Sequence, residues 1–158
     1  AFKLAYDKNK DIKLLLVGTL DENNIRPISK KYIENINNSN IEYVGEVEDI
    51  RNIWSMSHIA ILLSRREGLP KSLLEAASSG RAIISTDVPG SREIAIKSVN
   101  AELVKYNDIE AIAKAILYLA ENHAVRKSYG LKSRELVESD MSEDQVINNT
   151  LSLYKSIS

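Results

Sequence analysis

Two glutamates, Glu67 and Glu75, bracket Gly68-Leu69-Pro70-Lys71-Ser72-Leu73-Leu74. The first reads as a loop carboxylate. Gly68 and Pro70 make the turn, and a helix that opens at Pro70 carries the second acid. A helix N-terminus offers backbone N–H groups without intrahelical acceptors and a partial positive charge, which suits a phosphate. Acids on either side of it suit the hydroxyls of a sugar and a ribose, so the stretch predicts a nucleotide-sugar pocket. In that reading Gly68 lets the ligand approach the backbone, and the N–H groups of Lys71, Ser72 and Leu73 face it with the Ser72 hydroxyl. Pro70 takes the first helical position, where its missing N–H costs nothing. Glu75 then lies about 8 Å along the helix axis from Pro70, a span that resembles the distance from a diphosphate to a ribose. The bare spacing leaves a plainer alternative open. Glu75 would face solvent, and Glu67 would pair with Arg65 or Arg66.

Such a loop needs a frame. Lys13-Leu14-Leu15-Leu16-Val17-Gly18 is an apolar run ended by glycine, as a buried parallel strand would be. Ile41 to Gly45, Ile59 to Ser64, Ala82 to Thr86 and Ala101 to Val104 predict four more strands. Between them, a polar segment from Asn23 to Pro27 precedes a helix through Ile28, Tyr32, Ile33 and Ile36. Glu48-Asp49 opens another with Ile50, Ile53, Trp54 and Met56 at helical spacing, and Leu69 to Ser79 gives a third, stopped by Gly80. A Pro89-Gly90 turn leads into a short helix from Ser91. After Asp108 the chain reads as helical, with one stripe through Ala111, Ile112, Ala115, Ile116 and Leu119, and a last helix capped at Asp140-Met141-Ser142 and bearing Val146, Ile147, Leu151 and Tyr154. The fold class is therefore α/β. It is a Rossmann-like open parallel sheet with helices on both faces, in one domain over residues 1–158, followed by C-terminal helices. Ligands of such sheets bind at the carboxyl ends of the strands, here Gly18-Thr19, Gly45-Glu46, Ser64 to Leu69 and Thr86 to Ser91.

Composition narrows the function. With 44% hydrophobic and 27% charged residues and a net charge of −1, the chain has a globular composition and no overall drive toward nucleic acid. It has no cysteine, hence no disulfide or thiolate metal site, which accords with a reducing cytoplasm. No apolar run approaches the roughly 20 residues that span a bilayer. Asp11, Asp21, Glu22, Asp87 and Asp108 lack metal-ligand spacing, so no metal is expected; with a nucleotide sugar as substrate, no cofactor is expected either. His58 and His123 lie far apart and read as structural; Trp54 and Tyr43 read as packing residues. No Gly-x-Gly-x-x-Gly follows any strand, which discounts a dinucleotide enzyme. The opening Ala1-Phe2-Lys3-Leu4-Ala5-Tyr6 reads as the last turns of a helix in a longer protein.

Ser64-Arg65-Arg66-Glu67-Gly68-Leu69-Pro70-Lys71-Ser72-Leu73-Leu74-Glu75-Ala76, followed by Thr86-Asp87-Val88-Pro89-Gly90-Ser91-Arg92-Glu93, resembles the retaining family 4, or group 1, glycosyltransferases. The first segment matches that family's Glu-x7-Glu motif. The resemblance implies a two-domain GT-B fold, of which this chain is the C-terminal, donor-binding half, and it is most similar to bacterial enzymes of capsule, O-antigen and polyprenyl-linked glycan synthesis. It implies transfer of a sugar from a nucleotide diphosphate, UDP above all, to a saccharide or polyprenyl-linked acceptor, without metal. Glu67, the expected catalytic residue, would lie against the donor sugar and orient its hydroxyls, not act as a direct nucleophile. Gly68, Leu69, Pro70 and Lys71 would hold sugar and phosphate with Ser72, Arg65 and Arg66 assisting, and Glu75 would bind the ribose. Gly45, Glu46 and Val47 would lie near the base, and Gly90 to Glu93 would support the motif loop.

Three departures qualify the match. The upstream Gly-Arg-x-x-x-x-Lys-Gly segment, whose Arg and Lys neutralise the diphosphate, is not in this chain, and the first strand of the domain is expected to be missing with it. The usual Asn-Gly before the last strand is here Asn100-Ala101. The N-terminal acceptor domain is absent, so the chain alone is expected to be inactive. For the longer protein a cytoplasmic place is expected, with any membrane association peripheral, at the inner face of the plasma membrane. Competing readings are another GT-B sugar enzyme, such as a glycogen or sucrose synthase relative or an epimerase, and a non-catalytic nucleotide-binding or interaction module.

Overall fold

Strand Ala82–Thr86 is buried along its whole length, and the rest of the fold is arranged around it. The computed structural model describes residues 1–21, 27–38 and 40–157. Glu22 and the polar segment from Asn23 up to Pro27 lie outside the described residues. In chain order the elements are α1 (Phe2–Lys8), β1 (Leu14–Val17), α2 (Lys30–Ile36), β2 (Ile41–Gly45), α3 (Ile50–Met56), β3 (Ile59–Leu62), α4 (Lys71–Ser78), β4 (Ala82–Thr86), α5 (Pro89–Arg92), β5 (Ala101–Val104), α6 (Ile109–Glu121), α7 (His123–Asp140) and α8 (Glu143–Ile157).

All pairings are parallel, but the strands form two sheets among the described residues. β1 pairs with β2, and β3-β4-β5 stand together, with Ile61 opposite Ile84 and Ile84 opposite Glu102. A single open sheet was the expectation. An apolar run specifies a strand but not its neighbour, and no pairing joins β1 to β3. The consequence appears in burial: Leu14, Leu15 and Leu16 are only partly covered and Val17 is exposed, where a fully buried strand was expected. In β4 successive side chains point to opposite faces. Ala82 and Ile84 pack with Ala5, Ile112, Ala115, Ile116 and Leu119, whereas Ile83 packs with Ala60, Leu73, Ala76, Ala77 and Ile94. Helices therefore cover both faces of this sheet.

The helix starts follow from side-chain acceptors. Ser29, Asp49 and Asp108 accept hydrogen bonds from the N–H groups of Tyr32, Arg51 and Ala111, each satisfying an end amide. α4 stops at Gly80, whose φ of +67° is the left-handed conformation that favours glycine, while Gly80 and Arg81 donate to the Ala77 and Ala76 carbonyls. α7 crosses this turn closely. A Cβ on Gly130 would overlap the Gly80 carbonyl oxygen, so a glycine in mid-helix allows the approach. α8 carries the expected stripe, yet Val146, Ile147, Leu151 and Tyr154 are exposed. No helix among the described residues is long and apolar enough to cross a membrane.

Candidate functional site

The carboxyl ends of β3 and β4 present two loops, 63–70 and 87–88, that lean on one another. Thr86 donates its hydroxyl proton to the Ser64 carbonyl, tying the root of the first loop to the end of β4. Gly90, buried in α5, lies directly under Glu67 and Gly68. A Cβ there would overlap both of their carbonyl oxygens and come within 2.6 Å of the Glu67 carbonyl carbon. Pro89 occupies the first position of α5, where its lack of an N–H is harmless. Asp87 accepts from Arg92 Nε at 2.6 Å, bracing the two ends of this turn. The Arg92 guanidinium holds the Asp87 carboxyl below its ordinary range. Sequence reasoning identified Gly90 as a support and placed Thr86 at the strand end, but not its hydroxyl as the tie to Ser64.

The helix that opens on this loop begins one residue later than expected. Pro70 is its N-cap, with ψ of 111° in the extended region, and Lys71 is the first helical residue. The rule placing proline at the first helical position therefore applies to Pro89 rather than Pro70. Pro70 still has a task, because its carbonyl accepts from Leu73 at 3.0 Å and Leu74 at 3.2 Å. Leu73 N–H is consequently not available to a ligand, which corrects the expected trio of donors. The amides of Lys71 and Ser72 have no hydrogen-bond acceptor among the described residues. Two donors thus remain at a positive helix end, beside a Ser72 side chain that is exposed.

Glu67 is half-buried and Gly68 and Leu69 are exposed, so the loop offers backbone and one carboxylate to solvent. Arg65 and Arg66 are exposed and form no ion pair with Glu67 among the described residues. Glu75 lies in the next turn with a partly covered side chain, 3.7 Å from Lys71 Nζ. With its lysine exposed, that pair contributes little to stability and leaves the carboxylate partly accessible. Gly45 ends β2, in the other sheet, and Glu46 and Val47 follow it. Gly45 has φ of +80° and accepts from Gly18 N–H at 2.8 Å, but no hydrogen bond or ion pair joins this turn to the Glu67 loop among the described residues. Cavities of about 730 Å³ and 240 Å³ lie elsewhere, and neither is lined by the loop. The loop forms an open ledge, with Gly68 and Leu69 exposed to solvent. Among the described residues no three His, Cys, Asp or Glu side chains stand together as metal ligands.

Known proteins bear on this arrangement. The family described as glycosyl transferases group 1 matches residues 1–122. The capsular polysaccharide biosynthesis glycosyltransferase CapM of Staphylococcus aureus is 26% identical over 98% of this chain and 40% of its own length. Among solved structures, the C-terminal domain of the group 1 glycosyl transferase LpcC from Francisella tularensis superposes with a TM-score of 0.76, at 21% identity, over 90% of this chain and 78% of that one. A variant of Staphylococcus aureus TarM, solved with fondaparinux, α-GlcNAc-glycerol and UDP, gives a TM-score of 0.82 at 23% identity over 96% of this chain and 31% of that one. The fold is thus that of the C-terminal half of a GT-B enzyme. The chain spans about two fifths of the length of curated relatives such as CapM.

Proposed function

This chain belongs to the group 1 glycosyl transferases, and from that premise we propose that the ledge at the carboxyl ends of β3 and β4 is the donor half of a retaining glycosyltransferase site. The donor is a nucleotide-diphosphate sugar, with UDP as the favoured nucleotide, and the acceptor is a saccharide or polyprenyl-linked glycan in surface polysaccharide synthesis. The observation that carries the reading is the pair of unaccepted amides of Lys71 and Ser72, held at a helix start by a loop that Gly90 supports from below. Those amides and the helix dipole stabilise charge on the leaving diphosphate. Glu67, beside the amides, orients the donor sugar through its hydroxyls. Glu75, one turn further, accepts from the ribose hydroxyls once it exchanges its loose partner Lys71 for them. Gly68, Leu69 and Pro70 line the sugar and phosphate. Arg66 adds positive charge, and Gly45, Glu46 and Val47 serve the base. No step in this scheme uses a metal.

A ledge has one wall, and in this reading the acceptor domain supplies the other, at the inner face of the plasma membrane. Titrating the full-length protein with UDP-, GDP- and ADP-sugars tests the proposal. One class is expected to bind, with Glu75→Ala weakening it at least tenfold. Glu67→Ala should leave nucleotide binding within a few-fold while lowering transfer. Absence of binding by all three classes, or an unchanged affinity in Glu75→Ala, would sink the donor reading.

A further inference from the structure

The amino ends of β3 and β4, opposite the donor ledge, carry a different kind of site. His58 immediately precedes β3 and Arg81 immediately precedes β4. α7 passes over both, and the residues it contributes to a cavity of about 240 Å³ follow helical spacing: His123, Arg126 and Lys127, then Gly130 and Leu131, then Arg134. Both histidines of the chain and four permanent cations therefore line one hollow, and no carboxylate does. In a chain of net charge −1 this is a marked local excess of positive charge.

The cations are positioned but largely not neutralised. Arg81 donates to the carbonyls of Ser79 at 2.8 Å and Ser57 at 2.9 Å, and Arg126 to those of Leu119 and Ala120 at 2.6 and 2.8 Å. Carbonyl partners fix a guanidinium without cancelling its charge. Lys127 has no ion pair among the described residues, and only Arg134 has an acid partner, Glu138 at 2.6 Å. The floor is backbone, because Gly130 and Gly80 meet there without side chains. A solvent-open hollow with guanidinium groups fixed by backbone carbonyls above a bare floor suits a compact oxyanion of more than one charge.

We propose that this hollow is a binding site for a phosphomonoester or diphosphate group, distinct from the donor ledge and held by His58, Arg81, His123, Arg126, Lys127 and Arg134. The ledge and the hollow are separated by the length of β4, roughly 15 Å at about 3.3 Å per residue, so one ligand phosphate does not reach both. A multiply charged phosphate matches the number of cations better than a single carboxylate does. The phosphate source is free in solution or a lipid headgroup; the chemistry at the hollow is the same.

Titration of the intact protein with inorganic pyrophosphate, followed by backbone amide NMR, tests the site. Saturable shifts are expected at Arg81 and along 123–134, weakening with salt. His123→Glu combined with Lys127→Glu, both at exposed positions, should reduce that affinity at least tenfold, and Lys127→Gln alone about threefold. Vesicles of phosphatidylcholine with and without phosphatidic acid separate the sources. Capture by the phosphatidic acid vesicles, lost in the double variant, supports the headgroup; pyrophosphate binding without capture supports a free phosphate. Shifts confined to 67–75, no saturable shifts at all, or an affinity unchanged in the double variant would overturn the proposal. UDP titration reports on the other end of the sheet, so failure here leaves the donor reading standing, and the reverse.

Discussion

The two ends of the β3-β4-β5 sheet are built from opposite materials. At the carboxyl end the chain spends glycine and backbone: Gly90 beneath Glu67 and Gly68, a Thr86 hydroxyl on the Ser64 carbonyl, two unaccepted amides and two acids. At the amino end it gathers long cationic side chains around a backbone floor. Both arrangements favour anions, but by different physics. Amides at a helix start act over one turn and demand close approach, and Gly90 lets the loop that leads into that helix pack directly on α5. Guanidinium and ammonium groups reach out from their own backbones and act through full charge, which salt screens. In the proposed scheme the ledge takes a shape-specific ligand, and the hollow a charge-specific one.

The largest expected effect tests whether the ledge depends on backbone contact. In Gly90→Ala the new methyl meets main chain on the Glu67–Gly68 side, which cannot rotate away as a side chain could. Overpacking of this kind costs about 3 kcal/mol at its upper end, readable by urea unfolding, and should weaken nucleotide binding more than tenfold. The pyrophosphate response at 123–134 should survive. Loss of both together would mean that the two ends are not separable.

Between the two ends, where Tyr129 of α7 meets Glu102 of β5, pH supplies the next test. Burial, with help from its hydrogen bond to Glu102 at 2.9 Å, raises the Tyr129 phenol from 10.0 to about 12. The folded state thus keeps a proton that the unfolded chain releases. Stability from this group is full below pH 10 and is lost as pH rises toward 12, by at most a few kcal/mol at ~1.36 kcal/mol per unit. Urea midpoints measured from pH 8 to 11.5 should fall accordingly and flatten in Tyr129→Phe, while UDP binding at pH 8 stays constant in that variant. Smaller again, Thr86→Val at the carboxyl end leaves the Ser64 carbonyl without its donor. A loss of about 1–2 kcal/mol in urea unfolding and several-fold weaker nucleotide binding should follow. Equal binding in Thr86→Val would show that the loop holds its shape without that tie.

Sequence legibility also differs between the two ends. The ledge was readable because its parts are consecutive: Glu67, Gly68, Pro70 and Glu75 sit on one loop and one helix, and the Val88-Pro89-Gly90 turn lies on the next. What escaped was detail set by backbone dihedrals, such as which of two prolines caps a helix and which enters one. The five strands were readable as apolar runs, but their division into two sheets was not, since pairing depends on neighbours that hydrophobicity does not name. The hollow was the least legible. Its α7 stripe has helical spacing, yet a basic stripe reads as a solvated face, and His58 and Arg81 join it only because parallel strands bring their amino ends together. Reading each histidine alone as structural overlooked that convergence.

The smallest expected effect concerns the brace Asp87–Arg92, and it asks how much charge contributes at the backbone-built end. The hydrogen bond from Arg92 depresses the Asp87 carboxyl below its ordinary 3.8. Its contribution is therefore present above that value and is lost as pH falls through the lower folded one. Both partners are about half exposed, so solvent screens the pair and the contribution is small. Asp87→Asn should shift the melting temperature only slightly at pH 7, and the difference from the parent should shrink as pH falls below 3.8 and in 0.5 M salt. The pyrophosphate affinity of the hollow, by contrast, should fall steeply over the same salt range in both proteins. If Asp87→Asn abolished nucleotide binding without altering stability, the ledge would depend on charge after all, and the division between a backbone-built end and a charge-built end would have to be redrawn.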